Sequence, residues 1–159
     1  MNIRLASPAD LPRIEEIYTI GRAYMRQTGN MTQWIGGYPQ RNLLEEDIAK
    51  EQLFVMEDER GIHGVFAFIL GEDPTYGYID GAWPNAKPYG TIHRIASDGT
   101  HRGVLAECVR WSMAQIPHLR IDTHESNLAM RGAIERLGFT YCGTIYIADG
   151  TPRRAYELI

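Results

Sequence analysis

The chain has 159 residues, 44% of them hydrophobic, which is enough for one compact domain with a real core and too few for two ordinary ones. A formal net charge of −4, with no basic run beyond pairs such as Arg153-Arg154, excludes nucleic acid as an expected partner, because little on the chain would neutralise a phosphate backbone. No apolar run approaches the roughly 20 residues of a bilayer span, Met1 to Leu5 leads straight into folding sequence, Cys108 and Cys142 stand isolated in apolar patterns, and the histidines lack ligand spacing; a cytoplasmic protein without membrane contact, disulfide or metal is expected.

Ile3 to Leu5 can form a short strand, and Ser7-Pro8-Ala9-Asp10 reads as a helix start: an N-cap, proline at the first helical position and a carboxylate three residues on. The helix that follows carries Leu11, Ile14 and Tyr18 on one face and runs to about Tyr24. Met25 to Gln40, with Gly29-Asn30, Gly36-Gly37 and Pro39, predicts a long loop. Asn42 with Glu45 repeats the capping arrangement and opens a second helix to about Lys50. Leu53 to Met56 and Ile62 to Leu70 are β-prone runs joined by a polar turn, a hairpin by composition. Gly71 to Gly90 holds three prolines among four aromatics and predicts an extended excursion with a strand at Tyr78-Ile79; long aromatic loops of this kind in small domains tend to be functional.

Thr91 to Ser97 is the next strand, and the helix after Gly103 places Val104, Cys108 and Trp111 on one face before Pro117 stops it. Leu119 to Thr123 is a further strand, and Leu128 to Leu137 a helix with Met130, Ile134 and Leu137 aligned and Gly138 closing it. Phe139 to Ile147 and Arg153 to Leu158 form a terminal hairpin around Asp149-Gly150, whose exposed strand could pair across a two-fold axis in a homodimer. The order predicts a mixed α/β (α+β) fold, helices packed on a largely antiparallel sheet.

The stretch from Ile92 to Gly103 is the most informative. A strand that feeds a helix through a tight polar turn leaves backbone N–H groups free at the positive end of the helix dipole, a place to hold phosphate.

These residues carry a resemblance to the GNAT superfamily of acyl-CoA-dependent N-acetyltransferases over nearly the whole chain. Ile3-Arg4-Leu5-Ala6 with Asp10-Leu11 and Ile14 resembles the usual first strand and helix. Ile121 to Asn127 with Gly138-Phe139 resembles the family's fifth strand and fourth helix, and is the more specific match. The resemblance implies one acetyltransferase domain over residues 1–159 with a mixed, mostly antiparallel central sheet flanked by about four helices. Its fourth and fifth strands, here 91–97 and 119–123, would splay apart. Acetyl-CoA would lie in that gap, its pantetheine arm pairing with backbone near Ile95, Ala96 and Ser97. Its diphosphate would rest on the turn from Thr100 through His101, Arg102, Gly103 and Val104 to Leu105, and Asn127 would contact the arm. The partner would be a small-molecule or peptide amine.

The sequence departs from the family's pattern twice. The phosphate loop usually reads Arg or Gln, two residues, Gly, any residue, then Gly or Ala; here the register is Thr100, Gly103 and Leu105, with Ala106 in place if it slips by one. The tyrosine that serves many relatives as acid, seven residues after the asparagine, is Ile134. Tyr141 and Tyr146 are the nearest replacements by topology, Tyr146 preferred, and a thiolate can also leave unaided because a thiol pKa is only about 8.5.

An amine must be neutral to attack a thioester, and only about one alkylammonium in a thousand is so at pH 7. A base is therefore expected, and the resemblance points first to His93 and then to Asp122, which relatives match with a glutamate. Asp122 and His124 share one strand face, and a salt bridge from Asp122 to Arg94 or Arg120 is the structural alternative to catalysis. Trp34, Tyr38, Trp83 and Tyr89 lie on the loops this fold sets around the acceptor and could hold an ammonium by cation–π contact, or pack as small cores. Of Arg153 and Arg154, which alternate across a strand, one would face the acceptor. A non-catalytic acyl-CoA or amine-binding protein of the same fold is the rival reading, motivated by Leu105 and Ile134.

Overall fold

The computed structural model describes residues Met1–Ile159. Eight strands form one sheet: β1 (Asn2–Leu5), β2 (Leu53–Asp58), β3 (Gly61–Leu70), β4 (Asp80–Gly81), β5 (Gly90–Ser97), β6 (Leu119–Thr123), β7 (Thr140–Tyr146) and β8 (Pro152–Leu158). Four α-helices accompany them: α1 (Leu11–Gln27), α2 (Arg41–Ala49), α3 (Val104–Gln115) and α4 (Leu128–Arg136). The spatial order is β1-β2-β3-β5-β6-β8-β7-β4, and every neighbouring pair is antiparallel except β5 with β6. No helix is long and apolar enough to cross a membrane.

β3 is an interior strand and is apolar on both faces, which requires cover on both. On one face Val65 and Ala67 meet Leu11, Ile14, Ile17 and Tyr18 of α1 and Leu44 of α2. On the other, Phe66 and Phe68 meet Val104, Cys108 and Val109 of α3 and Ile134 of α4. Each fully buried side chain of this size contributes about 1.5–3 kcal/mol of transfer free energy. A third, smaller cluster, Tyr76 and Tyr89 with Ile145 and Ala155, seats the excursion 71–89 against β7 and β8.

The element boundaries shift where local capping and packing compete. Asp10 closes a capping box with Ser7 around a single 3-10 turn, Pro8–Asp10, and Arg4 pairs with both Asp10 and Glu57, so the chain enters α1 already tied to β1 and β2. Helix α1 continues past Tyr24 to Gln27 because Met25 is still buried. Helix α2 starts at Arg41 with Gln40 as its cap, and Asn42 lies inside it: the Gln40 carbonyl takes the Leu43 and Leu44 N–H groups as Leu44 packs into the core. The strand expected at Tyr78-Ile79 lies at Asp80–Gly81, where Gly81 at φ +135° approaches the β7 backbone too closely for any side chain. Cys108 is buried, whereas Cys142 is only half-buried, at a register shift in β7.

Candidate active site

β5 and β6 pair only from Gly90 to Ile92. Beyond that point β5 carries a bulge. Ala67 of β3 faces His93 and Val65 faces Ala96, so two β5 residues, Arg94 and Ile95, stand against Phe66, and Arg94 takes φ +52°. A bulge bends its strand and steepens the twist, which carries His93 to Ser97 away from β6 and frees their backbone on that side. Tyr18, fully buried in α1, donates its hydroxyl to the Arg94 carbonyl at 2.7 Å, fixing the bulge. Burial pushes the Tyr18 phenol far up, so it stays protonated and able to donate.

Two cavities flank the wedge. A groove of about 750 Å³ runs between the second half of α1, the end of β5, the tip of α3 and one side of α4. A second cavity, of about 510 Å³, lies on the α1 face between the loop 28–40, β6 and the ends of the excursion and terminal hairpin. Met25, Trp34, Ile95, Asn127 and Met130 line both, so the two meet at the wedge.

The groove is walled by backbone and small or apolar side chains. Ile95, Ala96, Ser97, His101, Gly103, Val104, Leu105 and Asn127 all border it. Gly103 caps α3 at φ +73° with no side-chain cap, leaving the first-turn N–H groups without an intrahelical acceptor. Thr100 and Arg102 are not among the lining residues, and both the N–H and the hydroxyl of Thr100 are taken by Asp98 Oδ1. Asn127 caps α4 through its Oδ1, which accepts from Met130 N–H, and its Nδ2 donates to Gln33. Behind the turn, His63 stands between Asp98 and Asp58, 2.8 Å from each. Two carboxylates can only accept, so both imidazole nitrogens donate and the ring is an imidazolium. The hydrogen bond to Asp98, opposed by burial and reinforced by Asp58, raises its pKa. His101 also reaches Asp58, at 3.1 Å, and hydrogen bonds account for this cluster of Asp58, His63 and His101.

The second cavity is walled by ionised groups. His93 Nε2 lies 2.7 Å from Asp73 Oδ2, and its Nδ1 is 4.0 Å from Asp122. Because Asp73 only accepts, Nε2 donates to it, and Nδ1 makes no hydrogen bond within the protein. Burial would raise Asp73, but the hydrogen bonds from His93 and Thr75 outweigh it and hold the carboxyl at about 2. Asp122 pairs with neither arginine named as its alternative partner: it accepts the Tyr76 hydroxyl at 2.6 Å, while Arg94 pairs with Asp47 and Arg120 with Glu157.

Trp34 and Tyr38 line this cavity, held by Arg26 and Arg22 of α1 through their carbonyls. The other aromatics lie elsewhere. Trp83 and Tyr89 sandwich the Arg120 guanidinium, at 4.0 and 4.1 Å, beneath the excursion, because a buried arginine draws the π faces that the prolines of this segment hold in place. His124 lies beyond the end of β6, where it accepts from Ser126 N–H and bonds Thr32, and it does not line the cavity. Tyr146 packs at a tilt against Tyr78 at the surface, and Arg154 lies over Tyr141; neither tyrosine reaches the wedge. Ile134 is fully buried in the core. Between the paired arginines the structure decides: Arg153 faces the cavity and Arg154 the outer face of the hairpin. Asp73 and Tyr76 escaped sequence reasoning. Their only signal was Asp73-Pro74-Thr75, an N-cap followed by proline, which marks a turn and says nothing of His93.

A crystal structure of a GNAT-family acetyltransferase from Streptococcus agalactiae 2603 superposes with a TM-score of 0.87 at 33% identity, covering 99% of this chain and 94% of that one. The chain belongs to the GNAT family of acetyltransferases. More distant likenesses share the fold: a putative acetyltransferase from Staphylococcus aureus Mu50 (TM-score 0.73, 23% identity, 99% and 97% covered) and a ribosomal-protein-alanine N-acetyltransferase from Brucella melitensis (0.62, 19%, 100% and 99%). Comparisons with family models and with curated proteins gave no match. The mixed, mostly antiparallel sheet with four helices is that of the GNAT fold.

Proposed function

We propose that this GNAT protein transfers an acetyl group from acetyl-CoA to a primary amine by direct attack. The observation that carries the reading is the loss of β5–β6 pairing after Ile92, at the point where the groove and the acceptor cavity meet. Acetyl-CoA supplies the activated acyl group, a thioester. The chain's features fit it: the unpaired edge of His93 to Ser97 suits an extended amide-bearing arm, and the open N–H groups of α3 suit a diphosphate. Leu105 borders the groove beside them.

His93 is the base. Asp73 fixes its tautomer and balances the charge it gains, and Nδ1 takes the proton of the acceptor ammonium, directly or through water, in the relay that Asp-His pairs serve elsewhere. Asp122, held by Tyr76, attracts the ammonium to that spot. The neutral amine then forms its N–C bond to the acyl carbon, backbone N–H near Ile95 stabilises the oxyanion, and the C–S bond breaks; the second proton, shed by the acylated nitrogen, passes to the departing thiolate and leaves a neutral amide and a free thiol. That leaving group has an intrinsic pKa of about 8.5 and needs no tyrosine acid.

The test is calorimetric titration with acetyl-CoA beside a thiol-release assay over polyamines, amino acids, peptide N-termini and aminoglycosides. Saturable binding with thiol release matched to acetylated amine is expected. Tight binding with no release from any acceptor would favour an acyl-CoA-binding protein instead, and absence of binding would remove both readings.

A further inference from the structure

We infer that the acceptor is a small amine bearing its own carboxylate, of the amino-acid class, and that Arg153 holds that carboxylate. The inference rests on the acetyltransferase reading, since it names the acceptor of that same site.

Arg153 lines the acceptor cavity and is only 8% exposed. Its Nη1 donates to Thr151 Oγ1 at 3.2 Å and to the Pro152 carbonyl at 2.8 Å, whereas Nε and Nη2 make no hydrogen bond within the protein. No carboxylate lies within ion-pairing distance of it. Arg94 and Arg120 are answered by carboxylates, Asp47 at 2.6 Å and Glu157 at 3.2 Å, and Arg22 and Arg26 spend both terminal nitrogens on carbonyls and a hydroxyl. Those two Arg153 donors open onto the cavity, where a ligand carboxylate can take them as no protein carboxylate does. Burial lowers its pKa despite the pull of Asp122, Asp149 and Tyr38, yet a guanidinium remains charged at any working pH.

The placement defines the ligand. Asp122 of β6 pairs with Ala155 of β8, so Arg153, two residues before Ala155, is its diagonal neighbour on the same face. Such neighbours lie roughly 7–8 Å apart. An ammonium drawn to Asp122 and His93 therefore has, one short span away, a planar fork of free donors matched to a carboxylate. Asp149 is the other acid facing this end, and its Oδ1 is occupied by the N–H and hydroxyl of Thr151. A polyamine or aminoglycoside would bring a second cation against Arg153, which is repulsive.

The experiment pairs amino acids with their own carboxamides, with spermidine as a purely cationic acceptor. Two readouts are taken: initial rates of acetylation, and calorimetric binding to the protein saturated with CoA. The expected result is at least a hundredfold preference in kcat/KM for the best amino acid over its carboxamide. That ratio falls to near one in Arg153→Gln and is partly restored in Arg153→Lys, while both variants keep wild-type acetyl-CoA affinity as evidence of folding. Equal rates for acid and amide, a preference for spermidine, or an unchanged ratio in Arg153→Gln would overturn the inference while leaving acetyl transfer intact. Carboxylate-dependent binding that Arg153→Gln abolishes, without turnover, would keep the inference and overturn the transferase reading. Binding of none of the amines, with no turnover, would overturn both.

Discussion

The two cavities that meet at the wedge are built from different materials. The groove presents backbone: an unpaired strand edge, an uncapped helix tip and small or apolar side chains. The acceptor cavity presents side-chain charge: His93 with Asp73 behind it, Asp122 on a tyrosine hydroxyl, and an unpaired Arg153. A backbone site tolerates sequence change because every non-proline residue has an N–H, so in the proposed reading a loop that matches the family pattern only at Gly103 suffices for a diphosphate. A charged site has no such tolerance, since each ionised group acts through one particular side chain that no neighbour can replace. Substitutions in the acceptor cavity should therefore abolish turnover and spare cofactor binding, and changes along the groove should do the reverse.

The largest effect is expected at His93. His93→Gln should lower kcat about 100- to 10,000-fold, the range of a general base, with the acetyl-CoA dissociation constant unchanged by calorimetry. Equal losses in both would break the division. Asp73→Asn, which acts through His93, should lower kcat about 10- to 100-fold and leave the KM of the amine alone. It should also alter acid stability. The Asp73 carboxyl sits at about 2 in the folded protein, below its ordinary 3.8, so its stabilising contribution is present above the ordinary value and is lost as pH falls through the folded one. Thermal melts between pH 5 and 2 should decline less steeply in Asp73→Asn; parallel curves would remove the His93–Asp73 pair from the account.

The same contrast explains what could be read from sequence. The groove comes from one contiguous stretch, the end of β5, its turn and the tip of α3, and its strand, glycine and helix follow each other along the chain; Ile95, Ala96, Ser97, Gly103 and Leu105 were all named from it. Thr100 and Arg102 were named too, but Asp98 takes the Thr100 donors locally, and Arg102 turns away from the groove. The acceptor cavity draws on α1, two long loops, β5, β6 and β8. Alternation put His93 and Asp122 on plausible faces, yet no local rule brings Asp73 to His93 across twenty residues, or sends Trp83 to Arg120 and away from the cavity. Aromatic content marked the excursion as important and left open which cluster each ring would join.

Along the groove, Gly103→Ala tests the backbone half of the contrast. No atom lies within 4 Å of where the new Cβ would sit, so the cost is conformational alone: a left-handed φ of +73° forced on an L residue. That is about 1–2 kcal/mol, which should appear as a loss of roughly five- to thirtyfold in acetyl-CoA affinity with kcat at saturation near wild type. Unaltered affinity would show that the α3 tip does not carry the diphosphate.

The smallest effect enters through His63, which stands behind the turn that leads into the groove. Its imidazolium braces Asp98, and Asp98 in turn fixes the turn that leads into α3. The pKa is raised in the folded protein, so this bracing is fully present below the unfolded value of about 6.5 and is lost as pH climbs through the folded one. Melting temperature and acetyl-CoA affinity should both decline between pH 6 and pH 9, modestly, and His63→Gln should flatten both slopes together. If only the melting curve flattens, the clamp stabilises the hairpin between β2 and β3 without shaping the turn before α3, and His63 is then no route from pH to the groove.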